Sequence, residues 1–146
     1  MAVKPIPEGY HTLNPYIVAK GANQLVDFLK SAFGAKELFR MSAPDGSIGH
    51  AELQLGDSRL MVGEAREPWK PMACSLYLYV PDTDAAYQAA LRAGGKSLME
   101  PGDQFYGDRN AGVTDPCGNM WWIATHIEDV SHDELMKRAA AREKAA

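Results

Sequence analysis

The chain has 146 residues, 46% hydrophobic, 23% charged and 9% aromatic, the proportions of one globular domain that can bury a core without a disulfide or a metal. Lysine and arginine number 15 against 19 Asp and Glu, a net charge of −4 that offers no basic field to a phosphate backbone, so nucleic acid is not an expected partner. No apolar run approaches the ~20 residues needed to span a bilayer, Met1 to Tyr10 has no signal-like apolar stretch, and Cys74 and Cys117 lack CxxC or zinc-knuckle spacing. These features predict a reduced, cytoplasmic protein with no membrane partner.

Pro5, Pro7 and Gly9 mark an extended lead-in, and His11 to Ala19, rich in Tyr, Ile and Val, predicts a strand. Leu25, Phe28, Leu29, Ala32 and Phe33 fall on one helical stripe, with Gly34 placed to end the helix. Strands follow at Lys36 to Met41, Ile48 to Leu55 and Arg59 to Gly63, separated by the turns Pro44-Asp45-Gly46 and Gly56-Asp57. Residues 64–73, with Pro68 and Pro71, read as a linker.

The order then begins again. Cys74 to Val80 predicts a strand, and Asp82 is placed to cap a helix carrying Ala86, Tyr87, Ala90 and Leu91, ended by Gly94-Gly95. Lys96 to Met99, Gly112 to Thr114 and Met120 to His126 read as strands, with a polar loop before the second and the turn Asp115 to Asn119 before the third. Phe33-Gly34-Ala35-Lys36-Glu37-Leu38 and Ala93-Gly94-Gly95-Lys96-Ser97-Leu98 match at an offset of 60 residues, so one supersecondary unit is used twice. The expected organisation is a single domain over residues 10–130, with modules at about 10–63 and 74–128. A helix over 131–146 follows, opened by the capping box Ser131-x-x-Glu134.

Side chains alternate along a strand, so each strand divides into two faces. Leu76, Leu78 and Val80 oppose Ser75, Tyr77 and Tyr79; Ala51, Leu53 and Leu55 oppose His50, Glu52 and Gln54; Trp122 and Ala124 oppose Trp121 and Ile123. A sheet with one apolar and one polar-aromatic face suits helices outside and a cleft inside, although a plain solvated face leaves the same pattern. His50 and Glu52, two apart on one face, can form an ion pair, orient an imidazole for proton transfer, or give two ligands to a metal.

Asp103 to Asn110 reads as a loop dense in hydrogen-bonding and aromatic groups, in which Asp108 and Arg109 either orient a ligand or hold the loop to its neighbours. His11 and His126 near strand ends suit solvated or capping roles, and His132 an exposed helix start. GxSxG, Walker A, GxGxxG and HExxH motifs are absent from the sequence, and nothing in it sets a histidine beside Cys74 or Cys117 as a nucleophile would require.

The doubled β-α-β-β-β pattern, the segment Val26 to Ala35 and the terminal Asp115-Pro116-Cys117-Gly118-Asn119 before a strand resemble the vicinal-oxygen-chelate superfamily of glyoxalases, extradiol dioxygenases and bleomycin-resistance proteins. His50-Ala51-Glu52-Leu53, Asp103 to Arg109 and Ala124-Thr125-His126 are similar to its PhnB-like branch. The resemblance covers residues 10–130 and implies an α+β fold of two βαβββ modules forming a curved sheet around a cleft, in a homodimer.

In the superfamily's metalloenzymes four inward strand positions hold a divalent metal; carried over by pattern they fall on Asn14, Met61, Ser75 and Trp122, or with a one-residue slip on Leu13, Leu60, Cys74 and Trp121. Met and Trp do not replace carboxylate oxygen and imidazole nitrogen, so the expectation is no cofactor, with a divalent metal having a place only at a non-standard site. What remains resembles the binding members, with an unidentified small molecule held by Asn14, Tyr16, Arg59, Met61, Ser75, Tyr77, Tyr79, Phe105, Tyr106, Arg109 and Trp122. The alternatives are a lyase or isomerase acting on a small carbonyl compound through His50 and Glu52, and a structural dimerisation domain.

Overall fold

The computed structural model of the protein describes residues 2–146. The chain runs β1 (Tyr16–Ala19), α1 (Ala22–Phe33), β2 (Lys36–Ser42), β3 (Ile48–Leu55), β4 (Ser58–Glu64), β5 (Ser75–Tyr79), α2 (Thr83–Arg92), β6 (Lys96–Asp103), β7 (Asp108–Thr114), β8 (Met120–His126) and α3 (His132–Ala145). Two four-stranded sheets result, ordered β1-β4-β3-β2 and β5-β8-β7-β6, in which β1 lies parallel to β4 and β5 parallel to β8 while the other pairs are antiparallel. This is the α+β arrangement of two βαβββ modules expected from the sequence repeat.

Two departures from the sequence reading have local causes. The first strand is four residues long and begins at Tyr16 rather than His11. The Asn14 side chain braces its own approach, accepting from the His11 N–H at 3.0 Å and donating to the His11 carbonyl at 2.7 Å, and ladder bonding starts only where Met61 N–H meets the Pro15 carbonyl. The loop expected over Asp103 to Asn110 shrinks to Gln104–Gly107, because β6 and β7 continue as a hairpin through Asp103 and Asp108.

The helix ends follow from their residues. Asp82 caps α2 through the Ala85 N–H at 3.0 Å, and Ser131 caps α3 through the Glu134 N–H at 3.2 Å. Gly34 ends α1 in the left-handed region at φ 68°, its N–H reaching the Lys30 carbonyl. At its other end α1 starts on Gly21, which has no side chain to cap with. Glu64 from β4 serves instead, taking the Gly21 N–H at 2.8 Å and the Ala22 N–H at 3.2 Å. The carboxylate thereby stands at the positive end of the helix dipole.

Helices α1 and α2 cover the apolar faces of the two sheets and pack on each other, so a single core joins the modules. Phe28 meets Phe33 edge-on at 5.6 Å between centroids, and Phe33 meets the buried Trp121 of the second module at 5.4 Å. With both apolar faces turned to the helices, the opposite faces of the sheets carry the polar and aromatic residues. No helix among the described residues is long and apolar enough to cross a membrane.

Candidate functional site

Tyr16, His50, Glu52 and Met61 come together on the uncovered face of the first sheet, because Tyr16 and Glu52 are the register partners of Met61 on its two neighbouring strands. The Tyr16 hydroxyl lies 3.2 Å from His50 Nδ1, and His50 Nε2 lies 3.4 Å from Glu52 Oε1. If the carboxylate accepts from Nε2–H, Nδ1 is left as the basic nitrogen and accepts the tyrosine O–H. At the far end the lead-in segment folds over the sheet. Arg59 holds it there, donating to the Gln54 side chain at 3.1 Å and to the Glu8 carbonyl at 3.1 Å, with its guanidinium 5.1 Å from the Tyr10 ring centroid. Burial, with the nearby Glu52 carboxylate adding to it, pushes the Tyr10 phenol up from its ordinary value.

At the other end of this face a cavity of about 740 Å³ opens. Tyr16 and Val18 form one wall, Met41 and Pro44 another, and Trp69 a third, over a floor at Gly49 and Gly63 with Glu64 and Arg66 beside it. The glycines make the room: a Cβ on Gly63 would stand 2.9 Å from the Tyr16 hydroxyl, and one on Gly49 would stand 3.2 Å from the Met41 carbonyl oxygen. The third wall is the segment that the sequence marks only as a linker. It is pinned to the sheet by Ala65 N–H to the Ala19 carbonyl and Met72 N–H to the Val18 carbonyl, and folded on itself by Arg66 N–H to the Trp69 carbonyl at 2.9 Å.

The uncovered face of the second sheet is organised around Asp108, which is 4% exposed. Its Oδ2 accepts the Tyr77 hydroxyl at 2.7 Å and the Tyr79 hydroxyl at 3.0 Å, and its Oδ1 meets His126 Nδ1 at 2.8 Å. His126 Nε2 reaches Asp129 at 2.8 Å. Both ring nitrogens then donate, the arrangement of an imidazolium, and the Asp129 and Asp108 hydrogen bonds hold its pKa above the usual value. Burial pushes the Asp108 carboxyl up, but the His126, Tyr77 and Tyr79 hydrogen bonds outweigh it and leave the group below its ordinary value. Tyr77 is raised by burial and by Asp108, and Tyr79 by its bond to Asp108 and then by burial. Asn110 donates to the Tyr77 and Tyr106 hydroxyls at 3.2 and 3.0 Å, while its buried Oδ1 has no hydrogen-bond partner among the described residues. Trp122 lies over Gly112 and donates to Ser75 Oγ at 2.9 Å.

The residues singled out in the sequence thus divide into separate groups. Tyr16 lines the cavity, His50 and Glu52 connect to it through the Tyr16 hydroxyl, and Met61 lies between Tyr16 and Glu52 in the sheet register. Ser75, Tyr77, Tyr79, Tyr106 and Trp122 share the second sheet's face and do not line this cavity. Arg109 turns the other way, clamped to Asp84 of α2 at 2.6 and 2.9 Å and to Asp103 at 3.0 Å, so it ties the β6–β7 hairpin to the helix. Phe105 packs under α3, where Arg142 lies 4.4 Å from its ring centroid and Arg138 donates to its carbonyl. His126, expected in a solvated or capping role, is half exposed at the end of β8 and also bonds Asp108.

Arg66 and Trp69 were not singled out in the sequence. A tryptophan between Pro68 and Pro71, 68% exposed in a segment with no core to join, is the signal that marks them.

The metal positions implied by the resemblance do not fit a hard divalent cation. Asn14 is spent on the His11 backbone, Ser75 is the acceptor of the Trp122 indole N–H, and Met61 offers only a thioether. Among the described residues no three His, Cys, Asp or Glu side chains gather as metal ligands would. The two thiols are not activated either. Burial and then the Asp115 carboxylate raise Cys74 and push Cys117 up to about 11.

A doubled βαβββ chain with helices on one side of its sheets and polar-aromatic faces on the other defines a class of small, cleft-bearing proteins. Residues 11–123 match the model of the Glyoxalase/Bleomycin resistance protein/Dioxygenase superfamily, and the chain belongs to that superfamily. An uncharacterized protein of Mycobacterium bovis is 33% identical over 134 residues, covering 84% of this chain and 88% of that protein. The fold is similar to that of TioX from Micromonospora sp. ML1, with a TM-score of 0.65 and 25% identity over 79% of this chain and 99% of that one. It is also similar to a PhnB protein from Bacillus cereus, with a TM-score of 0.61 and 16% identity over 79% and 99% of the respective chains.

Proposed function

We propose that the protein is a homodimeric small-molecule-binding member of its superfamily, working in the cytoplasm without a divalent metal or other cofactor. The observation that carries this reading is the cavity of about 740 Å³ on the first sheet, within the size range of ligand pockets and walled by Tyr16, Met41 and Trp69. Support for a homodimer comes from the second sheet, whose uncovered face leaves Tyr77, Tyr79, Leu98 and Met120 exposed at 45%, 61%, 46% and 37%. Both cysteines are free, as a reducing compartment would keep them.

Native mass spectrometry of the purified protein tests the reading directly. A bound small molecule, lost in Trp69→Ala, is the expected result, together with a dimer mass. A chain that carries no small molecule and shows no thermal shift across a metabolite library would leave a dimerisation domain as the better description.

One observation favours a second reading, a lyase or isomerase on a small carbonyl compound. The Tyr16 hydroxyl lines the cavity and leads to His50 and Glu52, so a proton taken up at Tyr16 has a basic nitrogen behind it. Deuterium exchange into a panel of small α-hydroxy carbonyl compounds, followed by NMR and abolished by His50→Gln, would establish it. Absence of exchange across the panel would count against it.

A further inference from the structure

The binding reading leaves the chemistry of the ligand open, and the charges around the cavity narrow it. We propose that the cavity takes an organic carboxylate with a flat apolar body, its carboxylate paired with Arg66 and its body lying against Trp69 and Tyr16. The inference rests on the binding reading above and adds to it the charge and shape of the ligand.

Arg66 is the cation that lines the cavity, and among the described residues its guanidinium has no ion-pair or hydrogen-bond partner. The carboxylates near it are otherwise engaged. Glu64 is turned to the first turn of α1, where the Gly21 and Ala22 N–H groups and the helix dipole offset its charge. Asp45 is exposed and held by the Ser47 hydroxyl at 2.6 Å and the Ser47 N–H at 3.0 Å, and Arg66 acts on it only through space, as the weakest of the influences that lower its pKa. The other arginines around this sheet behave differently: Arg40 is spent on Glu37 and Asn23, and Arg59 on Gln54 and the Glu8 carbonyl. An unspent guanidinium beside a mostly apolar hollow is a place for a planar oxyanion, which it can grip through two parallel N–H bonds.

The position of that guanidinium is set by the fold. Nη2 of Arg66 lies 3.6 Å from where a Cβ on Gly49 would stand, so the charge rests on the glycine floor, inside the cavity mouth. The Arg66 N–H bond to the Trp69 carbonyl closes a tight turn that carries the cation and the indole together. A ligand that engages both therefore meets two groups already positioned relative to each other, which lowers the ordering cost of binding. Trp69, 68% exposed, has a ring free to cover a flat ligand, and Tyr16 stands in the wall that the same cavity shares.

Calorimetric or NMR titration with 2-naphthoate and with its neutral amide tests the proposal, using the full chain and the variants Arg66→Gln and Trp69→Ala, each checked by circular dichroism for an unchanged fold. The expected result is naphthoate binding at least about tenfold tighter than the amide to the wild type, with the preference weakened by salt. Arg66→Gln should remove the preference while leaving amide binding in place, and Trp69→Ala should weaken both ligands. Equal binding of acid and amide, or a preference that survives in Arg66→Gln, would overturn the anion inference and leave the binding reading standing. Failure of both probes overturns the inference as well. The binding reading falls with it only if the purified protein also carries no small molecule.

Discussion

Replacing Asp108 with Asn removes one negative charge from the centre of the second sheet without changing the size of the side chain. The carboxylate accepts three hydrogen bonds, from Tyr77 at 2.7 Å, Tyr79 at 3.0 Å and His126 at 2.8 Å. An amide keeps one acceptor oxygen and turns an N–H₂ toward whichever donors remain, so at least one bond to a charged group is lost and a donor is left facing a donor. Such bonds are worth roughly 1.5–3 kcal/mol each, and relief from burying a carboxylate offsets part of the loss. A net cost of about 2 kcal/mol follows, which for a chain of this size lowers Tm by roughly 4–8 °C.

The pH dependence is the sharper part of that test. Asp108 has a folded pKa below its ordinary value, so its contribution is fully present above the unfolded pKa of roughly 4 and fades as pH falls through the lower folded value. His126 has a folded pKa above its ordinary value, so its contribution is fully present below the unfolded pKa of roughly 6.5 and fades as pH rises through the higher folded value. The gap in Tm between wild type and Asp108→Asn is therefore widest between about pH 4 and pH 6.5 and narrows on both sides. Calorimetric melts from pH 3 to pH 9 measure it, and spectrophotometric titration should show Tyr77 and Tyr79 ionising at lower pH in the variant. Equal melting temperatures, or a gap that stays constant across that range, would refute the account of Asp108 as a charged hub.

Three further substitutions test the frame around the two faces. Asp115→Ala strips the acceptors of the Cys117, Asn119 and Trp121 N–H groups and of the Asn119 side chain, and should cost about 3–4 kcal/mol in urea unfolding. Gly95→Ala places a Cβ 2.8 Å from the Ala90 carbonyl oxygen and 3.2 Å from Phe28 at the junction of the modules; backbone cannot yield there, and calorimetry should show a loss of about 2 kcal/mol. Glu64→Gln weakens the cap of α1 by about 1 kcal/mol, read as a lower denaturation midpoint at an unchanged slope.

The fold was legible because its determinants are local. The stripe of Leu25, Phe28, Leu29 and Ala32 is buried in α1 as its spacing requires, and the caps at Gly34, Asp82 and Ser131 form with the backbone groups beside them. The polar residues of β7 were not legible in the same way. Asp108 and Asn110 carry the signature of a loop, yet both are buried in a strand, because Tyr77, Tyr79 and His126, from 31, 29 and 18 residues away, satisfy Asp108, and Tyr77 takes a bond from Asn110. No local window contains those partners. The cavity was hidden for a related reason: Arg66 and Trp69 belong to a stretch with no hydrophobic period, and only its pairing to the edge of β1 turns a linker into a wall.

The repeat makes the contrast between the two uncovered faces informative. His50 and Asn110 stand 60 residues apart, at matching places on β3 and β7, and each is bonded to a tyrosine from the first strand of its own module, Tyr16 at 3.2 Å and Tyr77 at 3.2 Å. One scaffold therefore holds a tyrosine against a different side chain in each half. In the second half the tyrosine hydroxyl is consumed by Asp108, the indole of Trp122 by Ser75, and Tyr106 by Asn110, so most polar groups of that face are bonded to one another. In the first half the partner is an imidazole, the neighbouring floor is glycine at 49 and 63, and the hollow that results is faced by a guanidinium without a partner among the described residues. A duplicated unit needs both halves for its shared core, but only one of them needs to keep its polar groups free. The division of residues here assigns that freedom to the first.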